Sequence, residues 1–428
     1  MLILGLSFGG VQSAAARPAA GSSALPPEAA LLRIGEGGDG PVAVAARATQ
    51  VGGVTRLSVD LSRSVPIKAF VLDRPDRVVV DLPEVNFQIE PATIRLPPKG
   101  IGLVKAFRFG LFAPGKSRIV IDLGGPASLR KAVVEPIAGG DPSRLVIDLA
   151  RTDRASFRAA VRRDQPPAPP VSHAGAVPKP DAKPVVVIDP GHGGIDPGAS
   201  GIEGVPEKIV VFDFASALAA RLTASGRYRV VMTRSDDSFV SLGQRVKIAR
   251  DAGASLFISV HADTLSDRSV AGTTVYTASD RASDAEAARV AATENRADEL
   301  AGLEAAPDSQ GVNDILFDLT RRETRTYAHL FQRTLVGYWE KIAHLNKNPE
   351  RAAGFRVLQA PDVPSVLLEL GYLSNRADAK MLASPEWRDK ATASVMASID
   401  SFFRPREVPT ALGTDAATDK IVSAQPHP

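Results

Sequence analysis

Three side chains capable of metal or acid–base chemistry follow or end short apolar runs. They are His192 in DPGHGGIDPGASG after Val185–Ile188, His261 directly after LFISV, and Glu369 within VLLEL. Imidazole and carboxylate groups are ligands of zinc, and a catalytic zinc needs about three protein ligands and an open position for water. Taken alone, His192 could simply be a turn residue of its loop. A second histidine at a strand end favours a metal site.

Helical patterns separate these runs, at Ile209–Leu222 and Leu242–Arg250. Alternation of apolar strands with amphipathic helices predicts an α/β sheet. In such sheets ligands bind at the carboxyl ends of the strands. We therefore expect the two histidines and Glu369 to meet at one edge of the sheet, although they are far apart in sequence.

Composition limits the chemistry and the partners. The 428 residues include no cysteine, which excludes disulfides, thiolate catalysis, iron–sulfur clusters and cysteine zinc sites. A net charge of +3, from 51 basic and 48 acidic residues, gives little support to nucleic-acid binding. Hydrophobic residues make up 44% of the chain, which argues against wholesale disorder, and the length suggests two or three domains.

The remaining histidines fit ordinary packing or exposure better than metal binding. They lie in a proline-rich stretch, in the C-terminal tail and in helical patterns: His173, His427, His329 and His344.

A third ligand should be a carboxylate able to reach His192. Glu207 opens the helical pattern EKIVVFDF, where it could equally compensate the helix dipole, so position alone does not decide its role.

Three aspartates lie near the two histidines. Asp189 and Asp196 flank His192 in a glycine- and proline-rich loop, where aspartate typically accepts hydrogen bonds from local backbone, so we assign both to the loop. Asp263 follows His261 by two residues and is a candidate for orienting a metal ligand from the second coordination shell.

Residues 43–152 repeat one strand-like phrase four times. The copies are TRLSVDL at Thr55, DRVVVDL at Asp76, SRIVIDL at Ser117 and SRLVIDL at Ser143. Apolar residues at alternate positions predict half-buried strands, and the turn residues between copies predict an all-β sandwich. Arginine and aspartate fall on the opposite face, where they could pair across strands, at ~0.2–1 kcal/mol per pair, or face a ligand.

Other segments are expected to lie outside these folded parts. Residues 1–16 end in Ala14–Ala16 and resemble a secretory signal that lacks its basic start, as expected if the start codon is assigned too late. Residues 163–184 contain seven prolines and predict an extended linker, and 404–428 predict a disordered tail. No later apolar run reaches 18 residues, so we expect no membrane span.

An insertion at about 280–345 is predicted to be helical. Ser283 and Glu286 form a capping-box pattern that opens a helix over SDAEAARVAATENRADEL. A second helical stretch runs from about Gly311 to Ala343. Its apolar stripe predicts core packing by Ile315, Leu316, Leu319, Phe331, Leu335 and Trp339.

The phrases of residues 185–403 resemble the zinc-dependent N-acetylmuramoyl-L-alanine amidases in order and spacing. The phrases are VVVIDPGHGGIDPGASG, PEKIVVFDFA, LGQRVKIARDAGASLFISVHAD and VPSVLLELGYLSN, and those of 43–152 resemble the AMIN domain, which targets such enzymes to the envelope. The resemblance implies a mixed α/β/α, phosphorylase/hydrolase-like catalytic domain preceded by an all-β AMIN sandwich. It also implies Zn²⁺ held by His192, Glu207 and His261, with Glu369 as catalytic acid–base.

The implied reaction is hydrolysis of the amide that joins N-acetylmuramic acid to L-alanine in peptidoglycan. It would take place in the periplasm, in cell-wall remodelling and daughter-cell separation. Two alternatives remain open from the sequence: a zinc peptidase that cuts peptidoglycan cross-links, and a catalytically silent wall-binding scaffold.

The resemblance extends to relatives in which an inserted helix occludes zinc until an activator protein, of the LytM type, withdraws it. In those relatives a carboxylate on the helix approaches the metal, and Glu294 in ENRAD is the candidate here. The alternative interpretation of Glu294 is an exposed helical residue that makes i,i+4 contacts.

Overall fold

The structure is a computed structural model. It describes residues 40–89, 94, 96–113, 115–137, 140–164, 183–202, 204–303 and 315–404, with 164 and 315–319 described by their backbone alone. The expected signal segment, most of the linker and nearly all of the expected tail lie outside the described residues. Helix α1, Arg154–Asp164, includes the first two residues of the expected linker.

The N-terminal part forms two packed β-sheets. Its strands are β1 Val42–Val51, β2 Val54–Leu61, β3 Lys68–Leu72, β4 Arg77–Pro83, β5 Asn86–Phe87, β6 Val104–Ala113, β7 Lys116–Leu123, β8 Ala127–Pro136 and β9 Ser143–Arg151. The first sheet has the order β5-β1-β2-β9-β8, and the second has the order β3-β4-β7-β6. The four repeated phrases form β2, β4, β7 and β9, so the predicted all-β sandwich is confirmed.

Alternation along these strands separates an apolar core from a charged face. The inward residues of both sheets, such as Leu57 and Ile119, form one buried cluster. On the outward face of the first sheet Arg56 donates to Asp148 at 2.6 Å, across paired strands β2 and β9. Arg118 donates to Asp81 at 2.5 Å across β7 and β4 of the second sheet. The expected cross-strand pairing of arginine with aspartate therefore occurs on both sheets.

The C-terminal part contains one mixed sheet. Its strands are β10 Val185–Pro190, β11 Arg229–Met232, β12 Leu256–His261, β13 Thr273–Ala278, β14 Leu345–Ala353 and β15 Ser365–Glu369. Their order is β11-β10-β12-β15-β13-β14. All neighbouring pairs are parallel except β13 and β15, which are antiparallel.

Helices cover both faces of this sheet. They are α2 Glu207–Ala224, α3 Leu242–Asp251, α4 Ala285–Glu294, α5 Ala297–Leu300, α6 Ile315–Trp339, α7 Arg376–Leu382 and α8 Pro385–Phe403. Apolar residues of α2, α6 and α8 pack on one face, and those of α3 and α4 pack on the other. Because both faces are covered, the central strands β10, β12 and β15 are apolar along most of their length. The expected α/β/α arrangement is confirmed.

Two details of the predicted helices differ from the structure. The N-cap of α4 is Asp284, whose carboxylate accepts from the Ala287 amide at 2.8 Å, so the predicted capping box is wrong. Glu286 lies in the first turn of the helix, and its carboxylate pairs with Arg351. In α6, Phe331 and Trp339 are buried as expected, whereas Ile315, Leu316 and Leu319 lie outside the described side chains. Among the described residues, no helix is long and apolar enough to cross a membrane.

Trp339 provides a test of the packing between helices and sheet. It is fully buried, with its ring 6.3 Å from that of Phe214 on α2 and 6.2 Å from that of Trp387 on α8. Trp339→Ala should lower the free energy of unfolding by ~3–5 kcal/mol, because a large cavity forms. Urea unfolding followed by circular dichroism measures this loss. Tyr327→Ala on the same helix is the control, since Tyr327 is 44% exposed; an equal loss in both variants would contradict the packing described.

Candidate metal centre

The ends of three neighbouring parallel strands bring the candidate residues together. Strand β12 lies between β10 and β15, and His261 is the register partner of Glu369. His192 follows the end of β10 by two residues. The carboxyl ends of these strands lie at one edge of the sheet, as the sequence predicts.

His192 is held in its loop by backbone and side-chain contacts. Its φ is +59°, a left-handed conformation that is unfavourable for a residue with a side chain and is typical of functional sites. Arg245 donates to the His192 carbonyl at 2.7 Å, and the His192 Nδ1 atom lies 2.9 Å from the Asp196 carboxylate. This pairing orients the imidazole so that its Nε2 atom points away from Asp196.

Buried charges anchor this loop to the sheet. The Asp189 carboxylate accepts from Thr233 at 2.5 Å, from Ser259 at 2.6 Å and from Arg245 at 2.6 Å. The expectation that Asp189 bonds only to local backbone is therefore wrong, because it lies on β10 inside the sheet, where the donors come from distant residues. Asp196 accepts from the Gly198 amide at 3.1 Å, as expected, but also contacts His192.

Glu207 begins α2 and turns its carboxylate towards both imidazoles. One oxygen accepts from the Ala199 amide at 2.9 Å, and the other accepts from the Ala262 amide at 2.8 Å. Gly198 makes room for it: a Cβ there would lie 2.7 Å from the Glu207 Oε2 atom, and φ at Gly198 is +67°. The carboxylate is fully buried, so its role is more than compensation of the helix dipole.

Carboxylate oxygens of Glu207 and Glu294 lie close to the facing nitrogens of His192 and His261. The distances are 3.1 Å from His192 Nε2 to Glu207 Oε2, 3.3 Å from His261 Nδ1 to Glu207 Oε1, 3.6 Å from His192 Nε2 to Glu294 Oε2, and 3.0 Å from His261 Nδ1 to Glu294 Oε2. Ligand distances of about 2.0–2.2 Å place neighbouring atoms of a tetrahedral zinc site roughly 3.3–3.6 Å apart. Two of the four distances fall in this range and the other two, 3.0 and 3.1 Å, are slightly shorter, so the spacing is close to that of a site for a small divalent cation.

The two inward-facing imidazole nitrogens support the same assignment. His192 Nε2 and His261 Nδ1 are buried, and although carboxylate oxygens lie 3.0–3.6 Å away, no described residue makes a hydrogen bond of good geometry to either nitrogen. Buried polar atoms without partners are rare and call for a ligand or ion. Gly191 leaves the space for the second ring, since a Cβ there would lie 2.5 Å from His261 Cε1. The site accordingly fits a cation bound by imidazole and carboxylate groups.

Burial and charge together shift the pKa values of these groups. Burial opposes protonation of His192, but Glu207, Asp196 and Glu294 outweigh it and raise the pKa of His192 well above its usual range. Burial likewise opposes protonation of His261, whose pKa is raised to about 10 by Glu294 and Glu207. Burial would raise the pKa of Glu207, but the imidazoles hold it well below its usual range. The carboxylates thus favour positive charge at this point.

Glu369 lies beside the site and is fully buried. Its Oε2 atom accepts from the Asp263 amide at 3.1 Å, while Oε1 has no hydrogen-bond partner among the described residues. Burial raises the pKa of Glu369 well above its usual range; Asp263, Glu207 and Glu294 add to this effect, and His261 opposes it. A carboxyl group in this state suits proton transfer near neutral pH.

Asp263, the sequence candidate for orienting a ligand, contacts the site mainly through its backbone amide. Its carboxylate accepts from the Thr264 amide at 2.6 Å, and burial with the charges of Glu294 and Glu207 raises its pKa to about 8. The contact with an imidazole is made by Asp196 instead. The four-residue spacing of His192 and Asp196 within one loop was the available signal for this contact.

Glu294 ends α4 directly over the imidazoles. It is only 4% exposed, so its interpretation as an exposed helical residue is wrong. One ring nitrogen from each of His192 and His261 and one carboxylate oxygen of Glu294 lie within 4.8 Å of one another. The following residues fix the helix end: Asn295 accepts from the Arg356 amide at 2.8 Å, and Asp298 accepts from the Leu242 amide at 2.9 Å.

Solved structures with similar catalytic domains include two amidases. The amidase AmiC2 of Nostoc punctiforme is 27% identical, with a TM-score of 0.37, over 52% of this chain and 99% of that chain. The catalytic domain of CwlV from Bacillus (Paenibacillus) polymyxa is 26% identical, with a TM-score of 0.36, over 51% of this chain and 97% of that chain.

Sequence comparisons cover most of the chain. The amidase AmiC of Escherichia coli O6:H1 is 31% identical over 377 residues, which span 84% of this chain and 89% of that protein. The AmiC of Neisseria meningitidis serogroup B is 32% identical over 82% of this chain and 87% of that protein. The AMIN domain model matches residues 44–149, and the N-acetylmuramoyl-L-alanine amidase model matches residues 186–401. The chain therefore belongs to the N-acetylmuramoyl-L-alanine amidase family and carries an AMIN domain.

Proposed function

We propose that this peptidoglycan amidase is zinc-dependent, acts in the periplasm during daughter-cell separation, and is autoinhibited by Glu294. The observation that supports the proposal is that the Glu207 carboxylate oxygens lie 3.1 Å from His192 Nε2 and 3.3 Å from His261 Nδ1, with Glu369 in register beside His261. Family membership supports hydrolysis of the amide between N-acetylmuramic acid and L-alanine.

His192, Glu207 and His261 would hold the zinc ion. When bound, zinc supplies a Lewis acid that polarises the scissile carbonyl and lowers the pKa of water to about 7. Asp196 fixes the ring of His192, and the amides of Ala199 and Ala262 fix the carboxylate of Glu207. These contacts preorganise two of the three proposed ligands, His192 and Glu207.

Glu369 acts as the acid–base. The Asp263 amide holds one of its oxygens at 3.1 Å and leaves the other oxygen available for proton transfer. We propose that this carboxylate takes a proton from the attacking water and delivers it to the departing nitrogen of L-alanine. Its raised pKa serves the first half of this cycle, since a more basic carboxylate takes the proton from water more readily.

Glu294 supports autoinhibition by its distances to both imidazoles. An anionic carboxylate at 3.0–3.6 Å from the imidazole nitrogens occupies the side of the site that water and the substrate carbonyl need. With Glu294 in place, the site is closed to the substrate. We propose that an activator protein, of the LytM type, withdraws α4 and so exposes the zinc site.

The orienting contact of Asp196 gives a test of the metal site. Asp196→Ala should weaken zinc binding about 10–100-fold, because the His192 ring loses the group that fixes its orientation. Titration of EDTA-treated protein with Zn²⁺ by calorimetry measures the affinity. Asp236→Ala, on a nearby loop, is the control and should bind zinc like wild type; unchanged affinity in Asp196→Ala would contradict the orienting role.

Glu369 should be required for hydrolysis but not for metal binding. Glu369→Gln should reduce hydrolysis of purified sacculi by ~10²–10⁴-fold, because the amide cannot transfer the proton. Zinc content measured by atomic absorption should stay at the wild-type level. Mass spectrometry of wild-type products should give free stem peptides that begin with L-alanine. Cleavage within the peptide would instead support a cross-link peptidase, and equal activity of the variant would reject Glu369 as acid–base.

Removal of the Glu294 carboxylate should release the proposed inhibition. Glu294→Ala should raise basal hydrolysis of sacculi without added partner, since water and substrate gain access to the site. Dye release from labelled sacculi measures the rate, and Glu286→Ala on the same helix is the matched control. Unchanged basal activity, with zinc content intact, would count against autoinhibition by this residue.

A further inference from the structure

Residues 299–303, a short distance after Glu294 in the chain, lie on the outward face of the second AMIN sheet. We call residues 299–303 the docked segment; it contains the end of α5 and the turn after it. We call the outward residues of β4, β6 and β7 that meet it the docking face, formed by Arg77, Val79, Arg108, Arg118 and Val120. Only two residues separate Glu294 from the start of α5, so the docked segment is the direct continuation of the helix that reaches the metal centre.

Arginine side chains of the docking face donate to backbone carbonyls of the docked segment. Arg77 donates to the Glu299 carbonyl. Arg108 donates to the Leu300 carbonyl at 2.5 Å, and Arg118 donates to the Ala301 carbonyl at 3.0 Å. Carbonyls at the end of a helix carry partial negative charge, so cationic donors stabilise them; the Glu299 carbonyl also accepts from the Gly302 amide at 3.0 Å.

Carboxylates on the same face fix two of these arginines. Asp81 accepts from Arg118 at 2.5 and 2.9 Å, and Asp122 accepts from Arg108 at 2.6 and 3.1 Å. The guanidinium of Arg118 also lies 3.5 Å from the centre of the Phe112 ring. Because their orientation is set within the AMIN domain, the arginines lose little further freedom when the segment docks.

Apolar contacts complete the interface. Ala301 of the segment is fully buried in one cluster with Val79 and Val120 of the face. At Gly302 φ is +71°, and a Cβ there would lie 2.8 Å from Val79 and 3.0 Å from Val120. The segment therefore approaches the sheet more closely than any residue with a side chain would allow.

The first AMIN sheet shows what the same sequence phrase does without this contact. Its pair Arg56–Asp148 has the geometry of Arg118–Asp81, but the Arg56 side chain is 48% exposed and that of Arg118 only 6%. The repeat thus builds the arginine–aspartate arrangement on both sheets, and the catalytic domain covers it on one. The second AMIN sheet also contacts the loop that carries His192, since the Ile195 amide donates to the Leu111 carbonyl of β6 at 3.2 Å.

We propose that the second sheet of the AMIN domain is an intramolecular binding surface for residues 299–303 and thereby holds Glu294 at the metal centre. The regulatory part of this inference rests on the proposed autoinhibition, whereas the binding part does not. Because coupling between sites is reciprocal, detachment of the AMIN sheet loosens α4, and withdrawal of α4 by a partner weakens the contact between the domains.

Hydrogen exchange of the full-length chain tests the binding part directly. In Arg118→Ala, peptides that cover 294–303 should exchange at least about tenfold faster than in wild type, because a charged hydrogen bond and its burial are lost. The measurement is made on both EDTA-treated and zinc-loaded protein. Arg56→Ala removes the matched arginine of the first sheet and should leave this exchange unchanged.

A second variant protects the test against misfolding of the AMIN domain. Ala301→Leu overpacks the interface from the catalytic side and should also accelerate exchange in 294–303. Because this substitution lies outside the AMIN domain, its result does not depend on whether Arg118→Ala lowers the stability of that domain. Wild-type protection of 294–303 in both variants would overturn the proposal.

Basal hydrolysis of sacculi by the same two variants separates this inference from the proposed function. Both variants should raise basal hydrolysis of sacculi several-fold if Glu294 inhibits the site. Faster exchange with no gain in hydrolysis would retain the docking surface and reject its regulatory effect. If Glu294→Ala is also inactive on sacculi, the proposed function fails while the exchange result still decides the docking.

Discussion

Several charged groups are buried together at the carboxyl edge of the catalytic sheet. Glu207, Glu294 and Glu369 are each less than 5% exposed, and the imidazoles of His192 and His261 lie among them. Burial of an ionised carboxylate is unfavourable unless it is paired or binds a metal. The surrounding structure is organised by this constraint, because each of these carboxylates needs a compensating charge or donor at a fixed distance.

Backbone amides, neighbouring side chains and a buried ion pair of the sheet and its loops supply these charges and donors. Backbone amides hold Glu207 and Glu369, and Asp196 holds His192. The buried pair of Arg245 and Asp189 ties the His192 loop to the strands beneath it. The left-handed backbone at His192 persists because these contacts determine its position. Outside this shell, the AMIN domain contacts both the His192 loop and residues 299–303, which follow the helix that carries Glu294.

The sequence was informative wherever a residue's role depends on local pattern. Apolar runs predicted the strands that carry His261 and Glu369, and alternation predicted the AMIN sandwich with its paired arginines and aspartates. It was less informative where a role depends on distant partners. Asp189 could not be assigned to Arg245, Ser259 and Thr233, because these donors come from other strands and a helix. The contact between the AMIN arginines and residues 299–303 was equally hidden, since it joins segments about 180–220 residues apart.

We propose that the imidazoles of His192 and His261, together with carboxylate oxygen, bind one divalent cation. Zinc K-edge X-ray absorption of the zinc-loaded full-length protein tests it most directly, because the chain has no cysteine and sulfur scattering cannot obscure the first shell. The account predicts one zinc per chain, two imidazole ligands at about 2.0–2.1 Å and the rest oxygen. A spectrum with fewer than two imidazoles, or less than stoichiometric zinc, would contradict it.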